Sequence, residues 1–156
     1  MKKCLVLDLD NTLWGGIIGE DGMDGIKLDA PFIAFQQAIL DLANRGIILA
    51  VNSKNNFEDA IKAFREHPNM ILKEHHIAAW RINWNDKATN IRELAKELNI
   101  GLDSMVFLDD DETNRELVLT TVSEVEVPDL PRNFNDYAKF LLSLPYFPKS
   151  AETDED

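Results

Sequence analysis

The chain has 156 residues, 45% of them hydrophobic, and 16 Lys and Arg against 28 Asp and Glu give a net charge of −12. That is enough apolar material for one full core. A single cysteine excludes a disulfide framework, seven glycines and six prolines exclude a fibrous or linker-dominated chain, and no apolar run is long enough to span a membrane. An acidic surface repels phosphate backbones, so nucleic acid is not an expected partner. One thiol, and an apolar run after Lys2-Lys3 too short for a signal peptide, point to the cytoplasm.

In chain order, Cys4 to Leu9 reads as a buried strand that runs into acidic residues. Trp14 to Ala30 holds five glycines, too many for a helix, so Ile17-Ile18 and Ile26 to Leu28 are expected to pair as a short hairpin. Pro31 opens a helix with Phe35, Ala38, Ile39 and Leu42 inward, and Gly46 stops it. Ile47 to Asn52 is a second apolar strand. A helix capped at Asn55 or Asn56 carries Phe57, Ala60, Ile61 and Phe64, and ends before Pro68. Met70 to Trp84 reads as a short helix and then a strand, with Trp80, Ile82 and Trp84 on one face. Asp86 to Leu98 is an amphipathic helix, and Met105 to Leu108 a third clear strand. A helix from Glu112 to Thr121, a strand near Val125 to Val127 and a helix from Asp136 to Leu144 follow.

Buried β runs alternating with helices predict an α/β fold: a Rossmann-like parallel sheet with helices on both faces. Sites in such sheets lie at the carboxyl ends of the strands. Asp8 and Asp10, Ser53, and Asp109-Asp110-Asp111 all follow such ends. Carboxylates crowded at one edge need a cation, and oxygen donors without histidine favour Mg²⁺. His67, His75 and His76 lack the i,i+4 spacing of a helical metal pair. Ser53 and Lys87 opposite metal-bound carboxylates would make a receptor for a phosphoryl group. A strand-end aspartate, Asp8, can itself attack phosphorus, with Asp10 as acid and then base.

Asp8-Leu-Asp-Asn-Thr12, the strand ending at Ser53, Lys87 at a helix start, and Val106-Phe-Leu-Asp-Asp110 resemble the four motifs of the haloacid-dehalogenase-like (HAD) superfamily. The resemblance implies Asp8 as nucleophile and Asp10 as acid/base. It implies Mg²⁺ on the Asp8 carboxylate, the Asp10 backbone carbonyl and Asp109, with Asp110 close by. Asp8 to Gly22, Asn52 to Asn55 and Trp84 to Lys87 further resemble the FkbH-like branch, from Lys2 to about Pro148. That branch is associated with taking a glyceryl group from 1,3-bisphosphoglycerate, removing phosphate and loading the three-carbon unit on an acyl carrier protein in polyketide-type biosynthesis. Asn11, Thr12, Trp14 and Lys54 are the candidate substrate contacts beside these residues.

The motif spacings leave no room for a cap domain, only the glycine-rich segment as a flap. The catalytic domain is expected over 1–148, with 149–156 an acidic tail where longer relatives continue. Cys4, four residues before Asp8, is expected in the core, so any acceptor thiol belongs to a partner. A carrier protein is usually acidic and would need a basic patch, for which Lys54, Lys73, Arg81, Lys87 and Arg115 are candidates. Two other readings use the same residues or none: a capless Mg²⁺-dependent phosphatase acting on another phosphoester or a phosphoprotein, and a silent docking domain.

Overall fold

The computed structural model describes residues 1–149; the expected acidic tail therefore lies outside the described residues except for Lys149. Four parallel strands form one sheet in the order β3-β2-β1-β4: β1 (Cys4–Leu7), β2 (Ile48–Lys54), β3 (Ala79–Asn83) and β4 (Met105–Leu108). β1 lies inside the sheet with all four side chains buried, so it reads as a continuous apolar run rather than an alternating one. Its alternation is still used. Leu5 and Leu7 pack on one side with α2 (Ala30–Asn44), α3 (Phe57–Glu66) and α6 (Tyr137–Ser143). Cys4 and Val6 pack on the other side with α4 (Lys87–Leu98) and α5 (Glu112–Thr121). Among the described residues no helix is long and apolar enough to cross a membrane.

Local chemistry sets the helix boundaries. Asn56 caps α3 by accepting from the Glu58 N–H, and Asp86 caps α4 by accepting from the Thr89 N–H. Each such cap is worth ~1 kcal/mol. Asn99 ends α4 in the left-handed conformation.

Three expectations fail here. The glycine-rich segment is no hairpin: its ends do pair, through two hydrogen bonds between Gly15 and Lys27, but the tip is a helix, α1 (Ile18–Gly25). Asp21 reaches back to accept from the Ile17 N–H at 2.8 Å, and Gly22, at φ 73°, kinks the turn where a side chain would be strained. Val125 to Val127 forms no strand, only a single bridge between Val106 and Glu126. Pro128 comes next and has no N–H to continue a ladder. Trp84 does not share a face with Trp80 and Ile82, because β3 ends at Asn83 and Trp84 stands 72% exposed beyond it.

Candidate active site at the carboxyl edge of the sheet

The register puts Leu7 opposite both Leu108 and Val51, so the residues that follow β1, β2 and β4 emerge side by side. Asp8 continues the ladder by donating its N–H to the Leu108 carbonyl at 3.1 Å. Asp109, fully buried, follows β4, and Lys87 arrives from the first turn of α4. The Lys87 ammonium donates to Asp8 Oδ1 at 3.0 Å, to Asp109 Oδ2 at 2.5 Å and to the Asn52 carbonyl at 3.0 Å. All three of its donors are used, and the residue is only 1% exposed. Burying one ammonium between two carboxylates is costly unless every partner is in place. Here every partner is.

A second layer holds that lysine. The Asn52 side chain donates to the Lys87 carbonyl at 3.1 Å, so Asn52 grips Lys87 at both ends. Asn90, one turn further along α4 and fully buried, donates to Asn52 Oδ1 at 3.0 Å and to Asn83 Oδ1 at 2.9 Å. Sequence reasoning missed this layer as part of the site. Its signal is a pair of amides at positions where apolar residues are expected: Asn52 inside an apolar strand, and Asn90 on the inward face of α4.

Burial pushes the Asp8 carboxyl up to about 7, against the pull of Lys87 and with some help from Asp110. Burial, and then Asp8, raise Asp109 to about 6 against the same lysine. Burial pulls Lys87 downward, but Asp8 and Asp109 together outweigh it, so its pKa is raised and it stays charged. Asp10 is raised, by burial first, while the Ile18 N–H, the Trp14 indole and Asn55 lower it again. Those three donors reach its carboxylate at 3.0 Å each.

Asp8, Asp109 and Asp110 each present a carboxylate oxygen within 4.8 Å of the others. The donors are hard oxygens, with no nitrogen or sulfur ligand in the set, as a small divalent cation requires. The Asp10 carboxylate is not one of the three; it points instead to its own ring of donors.

A cavity of about 580 Å³ opens over this edge, lined among others by Asp8, Asp10, Asn11, Lys54, Lys87, Asp109, Asp110 and Trp84. Not every expected contact reaches it. Trp14 is fully buried; its ring packs edge-on against Phe64 and its N–H holds Asp10, so it positions a carboxylate and lines no opening. Thr12, also fully buried, places its hydroxyl 3.3 Å from both Asp8 Oδ2 and Asp110 Oδ1, within donating reach of either. Ser53 is 1% exposed, outside the residues that line the cavity, and its hydroxyl accepts from Asn55 at 3.2 Å. Asn55, Asn114 and Ile17 line the cavity and were not singled out as site residues from sequence.

The basic patch sketched from sequence does not assemble. Lys87 is buried, Arg81 is paired with Glu93 and Glu97, and Arg115 is held by the Asp109 and Asp110 carbonyls and by Asp129. The Lys73 ammonium donates to the Met70 carbonyl. Of the five, only Lys54 and the buried Lys87 line the cavity.

Solved structures share this fold. The N-terminal part of the protein BF1531 from Bacteroides fragilis, containing a phosphatase domain and complexed with Mg, superposes with a TM-score of 0.91. It is 47% identical over 94% of this chain. The fold is that of HAD-like phosphatases. The chain spans 41% of that longer protein. A 3-deoxy-D-manno-octulosonate 8-phosphate phosphatase from Moraxella catarrhalis, crystallised with magnesium ion, phosphate ion and KDO, shares the fold at a TM-score of 0.50. Its identity is 24%, over 80% of this chain and 64% of that one. No family model matches the chain, and no curated protein matches it in sequence.

Proposed function

We propose that residues 1–148 form a Mg²⁺-dependent phosphatase acting on a small phosphomonoester through an aspartyl-phosphate on Asp8. The observation that carries this reading is the buried Asp8–Lys87–Asp109 cluster at the strand ends, with Asp110 beside it. Two Mg-bound phosphatase neighbours of the same fold support the choice of metal. Asp8, Asp109 and Asp110 would hold the ion. When bound, it supplies positive charge against the phosphoryl oxygens and against the carboxylates themselves.

The protein's own groups do the rest. An Asp8 carboxylate oxygen bonds to phosphorus as the ester P–O bond breaks, and Asp10 gives its proton to the departing oxygen. Asp10, now a carboxylate, takes a proton from water as that water attacks phosphorus. The bond to Asp8 breaks, inorganic phosphate leaves, and both side chains return to their starting states. Lys87 pulls Asp8 toward its ionised form against burial and lies where it can share the charge of the phosphoryl oxygens. Lys54 and the exposed Trp84, at the cavity mouth, are the substrate contacts of this reading.

A finer form of the same proposal is the FkbH-type reaction, in which the phosphoester is a glyceryl phosphate and the product is loaded on an acyl carrier protein. It needs a thiol, and Cys4 is buried at the far end of β1, so a carrier would have to bring its own. Of the five cations named from sequence, an acidic carrier would meet Lys54 alone exposed near the cavity. Simple hydrolysis is therefore the better-supported form.

The test has two parts. Calorimetric titration with Mg²⁺ is expected to show one site of the oxygen-donor type that Asp109→Ala abolishes. Phosphate release from p-nitrophenyl phosphate is expected to need that Mg²⁺. Unchanged Mg²⁺ affinity in Asp109→Ala would remove the metal site, and an inactive, metal-indifferent protein would favour the docking-domain reading.

A further inference from the structure

Tyr137 comes from α6, the last helix among the described residues, and lies 126 residues from the Asn11 carbonyl it touches. Its hydroxyl donates to the Asn11 carbonyl at 2.8 Å, and the residue is 1% exposed. The ring is fixed on three sides: Phe32 and Phe35 of α2 at 6.0 and 5.1 Å between centroids, and Phe134 at 5.5 Å. Burial above all, and then the carboxylates of Asp110 and Asp8, keep the phenol proton in place, so the hydroxyl remains a donor.

Its target is an unusual residue. Asn11 sits between Asp10 and Thr12 at φ 58°, the left-handed region that costs a non-glycine residue roughly 1–2 kcal/mol. Three hydrogen bonds hold it there. Its side-chain oxygen accepts from the Gly16 N–H at 2.8 Å, its own N–H donates to the Gly16 carbonyl at 3.2 Å, and its carbonyl accepts from Tyr137. The first two are local to the loop. Of the three, the Tyr137 bond alone reaches beyond the loop, beside the Asn55 bond to Asp10 and the Thr12 bond to Asp110 on either side of Asn11. Asn11 and Tyr137 also line a second cavity, of about 630 Å³, so without the hydroxyl that carbonyl could turn toward water.

We infer that Tyr137 is a positioning residue for Asp10: by pinning the Asn11 carbonyl it fixes the turn that aims the Asp10 carboxylate. The inference rests on the phosphatase reading, with Asp10 as the general acid. Loss of aim at a general acid has a signature that loss of packing lacks. It slows substrates with poor leaving groups, which need a proton, far more than those with good ones, which do not. General acid assistance is worth ~10²–10⁴-fold, and a misaimed acid forfeits part of it.

The experiment compares kcat on phenyl phosphate and p-nitrophenyl phosphate, with saturating Mg²⁺, in wild type, Tyr137→Phe and Phe32→Leu. Tyr137→Phe keeps the ring and its packing. It is expected to lower kcat on phenyl phosphate by about tenfold while changing p-nitrophenyl phosphate by less than about twofold, with KM little altered. Phe32→Leu, which loosens the same aromatic cluster but keeps the hydroxyl, is expected to lower the melting temperature and leave the ratio of the two rates at its wild-type value. Equal slowing of both esters in Tyr137→Phe, or the same change of ratio in Phe32→Leu, would overturn the positioning role. Wild-type protein that releases phosphate from neither ester would instead remove the phosphatase reading, and this inference with it.

Discussion

Cys4 opens the four-residue strand β1 and Asp8 follows its last residue, and both are buried titratable groups. Burial pushes the thiol up to about 12 and the carboxyl up to about 7. What differs is the company each keeps. Cys4 lies among Val6, Ala50 and Phe107, with α4 and α5 above it, and desolvation is the sole cause of its shift. Asp8 has Lys87 on one oxygen and Thr12 on the other. Burial without a partner gives an inert group, whereas burial with a paired lysine gives a carboxylate that can stay charged in a water-poor site. A parallel sheet makes this asymmetry natural, since the loops that converge at the carboxyl edge bring polar groups from distant parts of the chain.

The largest effect should come from removing the partner that makes the ends unlike. Lys87→Met leaves Asp8 and Asp109 buried without a cation, so both carboxyls should bind protons at neutral pH, as Cys4 does. Phosphate release is expected to fall by ~10²–10³-fold or more while circular dichroism still reports the fold. Activity within a few-fold of wild type would show that the pairing is not what distinguishes Asp8.

A smaller change should follow from loosening the grip on that lysine. Asn90→Ala leaves the Asn52 side-chain oxygen without its donor in a buried place, a cost of about 1–3 kcal/mol. Denaturant unfolding should show that loss, together with a several-fold drop in kcat, because Asn52 holds Lys87 at both ends. A stability loss with kcat intact would mean that the amide layer supports the sheet alone.

The smallest effects belong to the apolar end. Cys4→Ala is expected to keep wild-type phosphate release and to lose about 1–2 kcal/mol of stability from the small cavity. The native thiol should label slowly until the chain unfolds. Its pH dependence has a definite sign: burial lifts the folded pKa above the thiol's ordinary value of about 9, so the neutral thiol favours the folded state. That contribution is fully present below about pH 9 and is lost as pH rises toward about 12, at up to ~1.4 kcal/mol per unit. Wild type should therefore fall in stability faster than Cys4→Ala above pH 9. Parallel curves would mean that Cys4 is not buried as described.

Three of the four strands were legible in the sequence because each has a short apolar run that stops at charged or polar residues, such as Leu7 before Asp8 and Leu108 before Asp109. β3 carries Arg81 in its middle and reads less clearly. The caps were legible too, as with Asn56. The glycine-rich segment misled because glycine count says nothing of the Asp21 side chain that starts α1, or of the single kink at Gly22 that lets it fit. Trp14 misled in the opposite direction, since an aromatic beside the motif looks like a substrate wall, and only the structure shows its N–H turned to Asp10. Asn90 and Tyr137 were missed for different reasons. The amide sits at an inward helical position that periodicity assigns to an apolar side chain, and the Tyr137 bond spans 126 residues, a separation that no local pattern encodes.

The central claim, that Asp8 is the group that bonds to phosphorus, is tested most directly by rapid-quench mass spectrometry of the protein turning over p-nitrophenyl phosphate with Mg²⁺. The peptide carrying Asp8 is expected to gain one phosphoryl group in wild type, and Asp8→Asn, still folded, to show neither the adduct nor phosphate release. Turnover of Asp8→Asn at the wild-type rate, or a phosphoryl group on any other peptide, would contradict the account.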